Sequence, residues 1–158
     1  MALRAAGRVD MTARAQAANA SMYVLDEQVG HLLRRAHQRH AAIFQEMIDD
    51  AQLTPLQFAA LMKLADVGET SQNQLGRLTA MDAATMQGVI KRLIARGLVD
   101  RRPDPGDRRR LLLTLSREGA ALADRVAERG LEISAKTLEP LSASERDTFL
   151  KLLARLSD

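Results

Sequence analysis

Cysteine is missing from this 158-residue chain, which excludes disulfides, thiolate zinc sites, iron-sulfur clusters, cysteine nucleophiles and any peroxide sensor that works by thiol oxidation. Tryptophan is missing too, and one tyrosine and three phenylalanines hold the aromatic share at 3%. That is too few rings for an aromatic cage or for the stacking platforms that grip single-stranded nucleic acid. No apolar run approaches the roughly twenty residues of a membrane span. The first twenty residues are Ala-rich but broken by Arg4, Arg8, Asp10 and Arg14, with no hydrophobic signal region, so a cytoplasmic location and no membrane partner are expected. The chain also lacks G-x-S-x-G, G-x-G-x-x-G, a P-loop and H-E-x-x-H. No catalytic residue, enzymatic activity or cofactor is expected.

What is present is 46% apolar and 27% charged residues, the balance of a folded globular domain of ordinary size. Residues 1–21 show neither periodicity nor turn chemistry and read as a mobile, weakly basic arm; residues 22–158 read as one domain. From Leu25, apolar residues recur at Val29, Leu32, Leu33, Ala36, Ile43, Phe44 and Met47, the spacing of one helix face, and the chain leaves that helix near Asp49-Asp50. Thr54-Pro55 pairs an N-cap with proline at the first helical position and opens a helix that runs to Val67-Gly68. Ser71 is placed to cap a third, short helix over Asn73 to Leu78, with Leu75 and Leu78 expected inside. Asp82 caps a fourth, which ends at Arg96 with Gly97 in the left-handed position.

Leu98 to Arg102 and Leu111 to Leu115 flank Pro103-Asp104-Pro105-Gly106-Asp107, a cluster of turn formers, and together predict a two-stranded hairpin with a protruding loop. Ser116 to Glu118 opens a long helix reaching about Leu138. A capping box, Ser142 with Glu145, opens the last helix, which carries Phe149, Leu150, Leu152, Leu153 and Leu156. The predicted fold is mainly α: a winged helix-turn-helix core, about residues 53–116, between helical arms at about 22–49 and 117–158.

Charge points the same way. Lys91, Arg92, Arg96, Arg101, Arg102, Arg108, Arg109 and Arg110 face only Asp100, Asp104 and Asp107, a local +5 in a chain whose formal charge is +3. A solvated arginine loop would look similar by composition. Placement on a helix-turn-helix and its hairpin favours duplex DNA, whose phosphates supply much of the affinity in such complexes.

Leu53-Thr54-Pro55-Leu56-Gln57-Phe58, Leu75-Gly76-Arg77-Leu78-Thr79, Arg92-Leu93 with Arg96-Gly97-Leu98-Val99, and Asp104-Pro105-Gly106-Asp107-Arg108-Arg109 through Leu115-Ser116 with Glu118-Gly119 occur in this order. In these motifs the chain, from about Leu25 onward, resembles the MarR family of bacterial transcription regulators. The resemblance implies a homodimer with interleaved first and last helices, each protomer placing a recognition helix in a major groove of double-stranded DNA and a wing beside the minor groove. The recognition helix would be Ala83 to Arg96, with Thr85, Gln87, Gly88 and Lys91 facing bases or phosphates and Arg92 adding charge. Gln pairs with adenine and Lys reaches guanine, so Gln87 and Lys91 are the better readers. Gly88 stands where the family often has arginine. Asp107 and Arg109 match the family's Asp-x-Arg wing element, flanking Arg108, and Asn73 and Gln74 would meet phosphate at the start of the preceding helix.

The segments Leu32 to Phe44 and Ser71 to Asp82 are similar to the MarR subgroup that controls breakdown of aromatic acids and responds to hydroxycinnamates, benzoates or their coenzyme A thioesters. This implies a small aromatic effector, with Phe44, Phe58 and Met62 as an apolar floor and Arg35, His37, Arg39 and His40 meeting its polar groups. His40 lies on the apolar stripe and needs a partner, which either the protein or a ligand can supply. His37 and His40 lack a motif-spaced third ligand, so no metal site is expected. The expected function is a repressor released from a palindromic operator by its effector. The alternatives are an activator of the same family or a helical protein-interaction module.

Overall fold

The computed structural model describes residues 23–48, 51–107 and 110–157. The predicted arm over residues 1–21 and the wing arginines Arg108 and Arg109 lie outside the described residues. The chain divides into two compact units, Met1–Arg39 and His40–Asp158.

In the first unit a single 3-10 turn, Leu25–Glu27, precedes helix α1 (Val29–Ile48), so the regular helix begins four residues after the apolar pattern does. Gln28 Nε2 donates to the Val24 carbonyl at 2.9 Å. His31 Nε2 lies 3.1 Å from Asp26 Oδ1, and Arg34 Nη2 lies 3.2 Å from His31 Nδ1. The apolar side chains of Tyr23, Val24, Leu25, Val29, Leu32 and Leu33 are all exposed.

The second unit starts within α1 and continues through α2 (Pro55–Val67), β1 (Glu69–Ser71), α3 (Gln72–Leu78), α4 (Ala83–Ala95), β2 (Val99–Pro103), β3 (Leu111–Leu115), α5 (Arg117–Thr137) and α6 (Ala143–Ser157). Side-chain caps set most helix starts. Thr54 and Gln57 exchange both bonds of a capping box ahead of Pro55. The side chains of Ser71, Asp82 and Ser116 each accept the N–H three residues on. At the end of α4, Gly97 takes φ +69°, as the left-handed turn into β2 requires.

The sheet has three strands in the order β1-β3-β2, all antiparallel, where the sequence predicts a two-stranded hairpin. Thr70 pairs with Leu113, and Arg101 pairs with the same residue from the other side. β1 is only three residues long and carries no alternation of its own, so nothing local announces it; pairing with β3 creates it. A second correction concerns Leu78, which is 42% exposed while Leu75 is fully buried. On a 100° helical step the inward direction of α3 lies between Leu75 and buried Gly76, and Leu78 is turned more than 100° from it. The core gathers Ile48, Leu61, Leu64, Leu75, Met86, Leu93, Leu113 and Ile133 beneath α4 and the sheet.

Candidate functional site

Helix α4 presents the basic face. Its start is fixed by Asp82, whose Oδ1 accepts the Thr85 N–H at 2.9 Å and whose Oδ2 accepts the Thr85 hydroxyl at 2.6 Å. The Thr85 hydroxyl bond, then its N–H, hold the Asp82 carboxyl below the usual carboxylate range. Thr85 is thereby committed to the cap, and its hydroxyl proton is not offered outward. Gln87, Lys91 and Arg92 are exposed along the helix. A Cβ at Gly88 would lie 3.6 Å from Arg92 Nη1, so this guanidinium covers the position where the family often carries arginine.

The six described cations between Lys91 and Arg110 do not act as one cluster. Arg96 points back into the fold, donating to the carbonyls of Gln52 at 2.7 Å and Ala51 at 3.0 Å. Arg102 is held by Glu69 through two bonds of 2.8 Å. Arg110 lies 3.9 Å from Asp104. Lys91, Arg92 and Arg101 have side chains with no hydrogen-bond or ion-pair partner among the described residues. The sequence counts all eight equally; it cannot show that main-chain carbonyls and a distant glutamate take two of them.

In the wing, Asp104 Oδ1 accepts the Gly106 N–H at 2.8 Å, and the N–H of Asp107 returns to the Asp104 carbonyl at 3.3 Å, which shapes a tight turn over 104–107. Asp107 is exposed on that turn. At the start of α3, Asn73 is exposed. The backbone N–H of Gln74 is taken by Ser71 Oγ, and its Oε1 accepts from Arg77 Nε and Nη2. Only the side-chain amide N–H groups of Gln74 remain for another partner. Three grooves of about 450, 490 and 460 Å³ open on this face, and Gln72 lines all of them. Gln72 was not among the predicted contacts, for an unmotivated polar residue at a helix start carries no signal beyond its position.

The predicted effector residues fall in both units. Arg35, His37 and Arg39 are exposed on α1 in the first unit, with Arg35 3.9 Å from Asp26. In the second unit, His40, Phe44 and Phe58 come together. The rings of His40 and Phe44 are 6.4 Å apart, and Phe44 meets Phe58 edge-on at 5.5 Å. Phe44 is buried; Phe58 and Met62 are half-buried against the same core. His40 finds a protein partner: its Nδ1 lies 3.0 Å from Thr137 Oγ1, and that hydroxyl donates to the Ile133 carbonyl at 2.7 Å. The hydroxyl proton being used on Ile133, Nδ1 is the donor to Thr137. Among the described residues no three His, Asp or Glu side chains are grouped to hold a metal ion, and no helix is long and apolar enough to cross a membrane.

A sequence profile of the MarR family matches residues 51–110. The chain is 48% identical over 136 residues, 86% of each protein, to the HTH-type transcriptional repressor NicR of Pseudomonas putida. It superposes on BpsR of Bordetella bronchiseptica, whose DNA binding is regulated by 6-hydroxynicotinic acid, with a TM-score of 0.83 and 46% identity, covering 86% of this chain and 97% of that one. The PcaV transcriptional regulator of Streptomyces coelicolor, solved with its natural ligand, matches with a TM-score of 0.81 and 34% identity, covering 86% of this chain and 96% of that one.

Proposed function

Since the chain belongs to the MarR family of transcription regulators, we propose that it is a DNA-binding repressor, released from a palindromic operator by a small aromatic acid or the coenzyme A thioester of one. The observation that carries this reading is the exposed Gln87–Lys91 face of a capped helix beside a wing, in a chain nearly half identical to a repressor. Gln87 and Lys91 read base edges in the major groove. Thr85 supports the helix start, and Arg92, Asn73 and the Gln74 amide meet phosphates. Asp107, Arg108 and Arg109 form the minor-groove element of the wing. Residues 53–116 serve as the winged helix-turn-helix, within a single domain over 22–158.

The working form is a homodimer in the cytoplasm, with regulation and not catalysis as its activity. Its motive is the face of α6, where Phe149, Leu150, Leu152 and Leu156 are exposed and no residue is buried. An apolar face of that kind calls for a second copy. The effector's ring packs at Phe44, Phe58 and Met62, and its phenol or ring hydroxyl meets Nε2 of His40. Arg35, His37 and Arg39 supply the cationic chemistry that a carboxylate or a thioester phosphate needs. The regulator of BpsR, 6-hydroxynicotinic acid, favours a hydroxylated aromatic acid here.

The test is selection of a duplex from a random pool by the purified protein, followed by release with 6-hydroxynicotinic acid, benzoates, hydroxycinnamates and their thioesters. A selected palindrome and at least tenfold release by one compound, about 1.4 kcal/mol of coupling, is the expected result. Absence of any selected sequence would favour the protein-interaction module instead.

A further inference from the structure

A helix in the major groove and a wing in the adjacent minor groove must straddle the sugar-phosphate strand that separates the two. In this molecule the space between them is the 490 Å³ groove. It has an apolar floor of Ile90, Ile94 and Leu111 and a rim that includes Gln72, Lys91 and Arg101. Deoxyribose faces suit such a floor, and phosphate oxygens suit such a rim. Resting on the repressor reading, we propose that this groove seats one DNA backbone strand, with Arg101 and Gln72 as phosphate contacts, and that Glu69 holds the neighbouring Arg102 out of it.

The two-sidedness of the sheet separates two arginines that are adjacent in sequence and equal in charge. Paired residues of antiparallel strands share a face, and successive residues alternate. Arg101 pairs with Leu113, whose side chain is buried, so Arg101 projects on the side where α4 packs and lines the groove with Lys91. Arg102 pairs with Leu112 and projects on the opposite face. There it reaches across β3 to Glu69, and both of its bonds are 2.8 Å. This bidentate pair occupies the planar fork of the guanidinium, the same geometry that a phosphate would need.

Affinity for random-sequence duplex, measured across a salt series, tests the assignment. Arg101→Gln and Arg102→Gln each remove one positive charge, so a difference between them reads placement and not net charge. Arg101→Gln is expected to make the log–log salt slope shallower by about one, the loss of one neutralised phosphate, whereas Arg102→Gln keeps the slope of the unaltered protein. Gln72→Glu, which puts an acidic residue on the rim shared with Lys91 and Arg101 and at a helix start that favours one, is expected to weaken binding about threefold or more at low salt, with the loss shrinking as salt rises. Thermal melts of all three establish that they are folded. Equal slope changes in the two arginine variants, or unchanged binding by Gln72→Glu, would overturn the strand seat while leaving the repressor reading intact. An unaltered protein that binds no duplex at any salt would overturn both.

Discussion

Gly119 shows how a single position can be fixed by backbone alone. A Cβ there would fall 1.9 Å from the carbonyl oxygen of Leu98 and 2.9 Å from its carbonyl carbon, and neither atom can swing aside. The close approach is locked by Ser116, which accepts the Gly119 N–H at 2.9 Å and donates to the Gly97 carbonyl at 2.6 Å. Gly119→Ala is therefore expected to cost about 1–3 kcal/mol of stability, the range for overpacking, in urea melts followed by circular dichroism. Asp82 offers a pH-dependent case. Its pKa is lower in the folded protein than its ordinary 3.8, chiefly through the Thr85 hydroxyl. Its contribution is thus complete above the unfolded value and is lost as pH falls through the folded one. Asp82→Ala should destabilise the protein at neutral pH, by a margin that shrinks as pH falls below the unfolded value and through the folded one. A deficit that stays constant across that range would show that the carboxylate is not the source.

At the scale of elements, the helix boundaries were legible wherever a side chain caps them. Thr54-Pro55, Ser71, Asp82 and Ser116 all act as their sequence positions suggest, because a cap needs only atoms within three residues. The third strand and the exposure of Leu78 were not legible, since both depend on what packs from elsewhere. The site divides on the same line. The exposure of Gln87 and Lys91 follows from their positions on a helix, whereas the withdrawal of Arg96 and Arg102 from the basic face depends on partners 44 and 33 residues away. Arg96 joins the end of α4 to the loop between α1 and α2, where Gln52 adopts φ +50°. From the opposite side, Arg129 of α5 donates to the Met47 carbonyl at 3.0 Å. Arg96→Gln should lower stability by about 1 kcal/mol in urea melts, the net worth of an exposed charge-assisted pair of bonds. It should leave the salt slope for random duplex unchanged, since main-chain carbonyls already engage this guanidinium. A shallower slope would place Arg96 among the phosphate contacts instead.

At the scale of the molecule, α6 is one of the apolar surfaces left uncovered among the described residues. Leu150 is 50% exposed and Leu156 73%, on a helix that has no buried residue at all. Self-association should be evident by sedimentation at micromolar concentration. Leu150→Glu with Leu156→Glu should yield monomers whose affinity for the selected palindrome falls about 100-fold or more, as two half-sites lose their joint reader. Association that survives both charges would move the interface elsewhere. The arginine anchors on Met47, Ala51 and Gln52 bear on a different timescale, that of descent. Their acceptors are main-chain carbonyls, and every amino acid supplies one. Replacing the exposed Gln52 side chain removes no acceptor, so this joint can change its lettering over generations and keep its fastening. The heritable weight falls on codons 96 and 129, where a single base change can release what no change of side chain at the acceptors would.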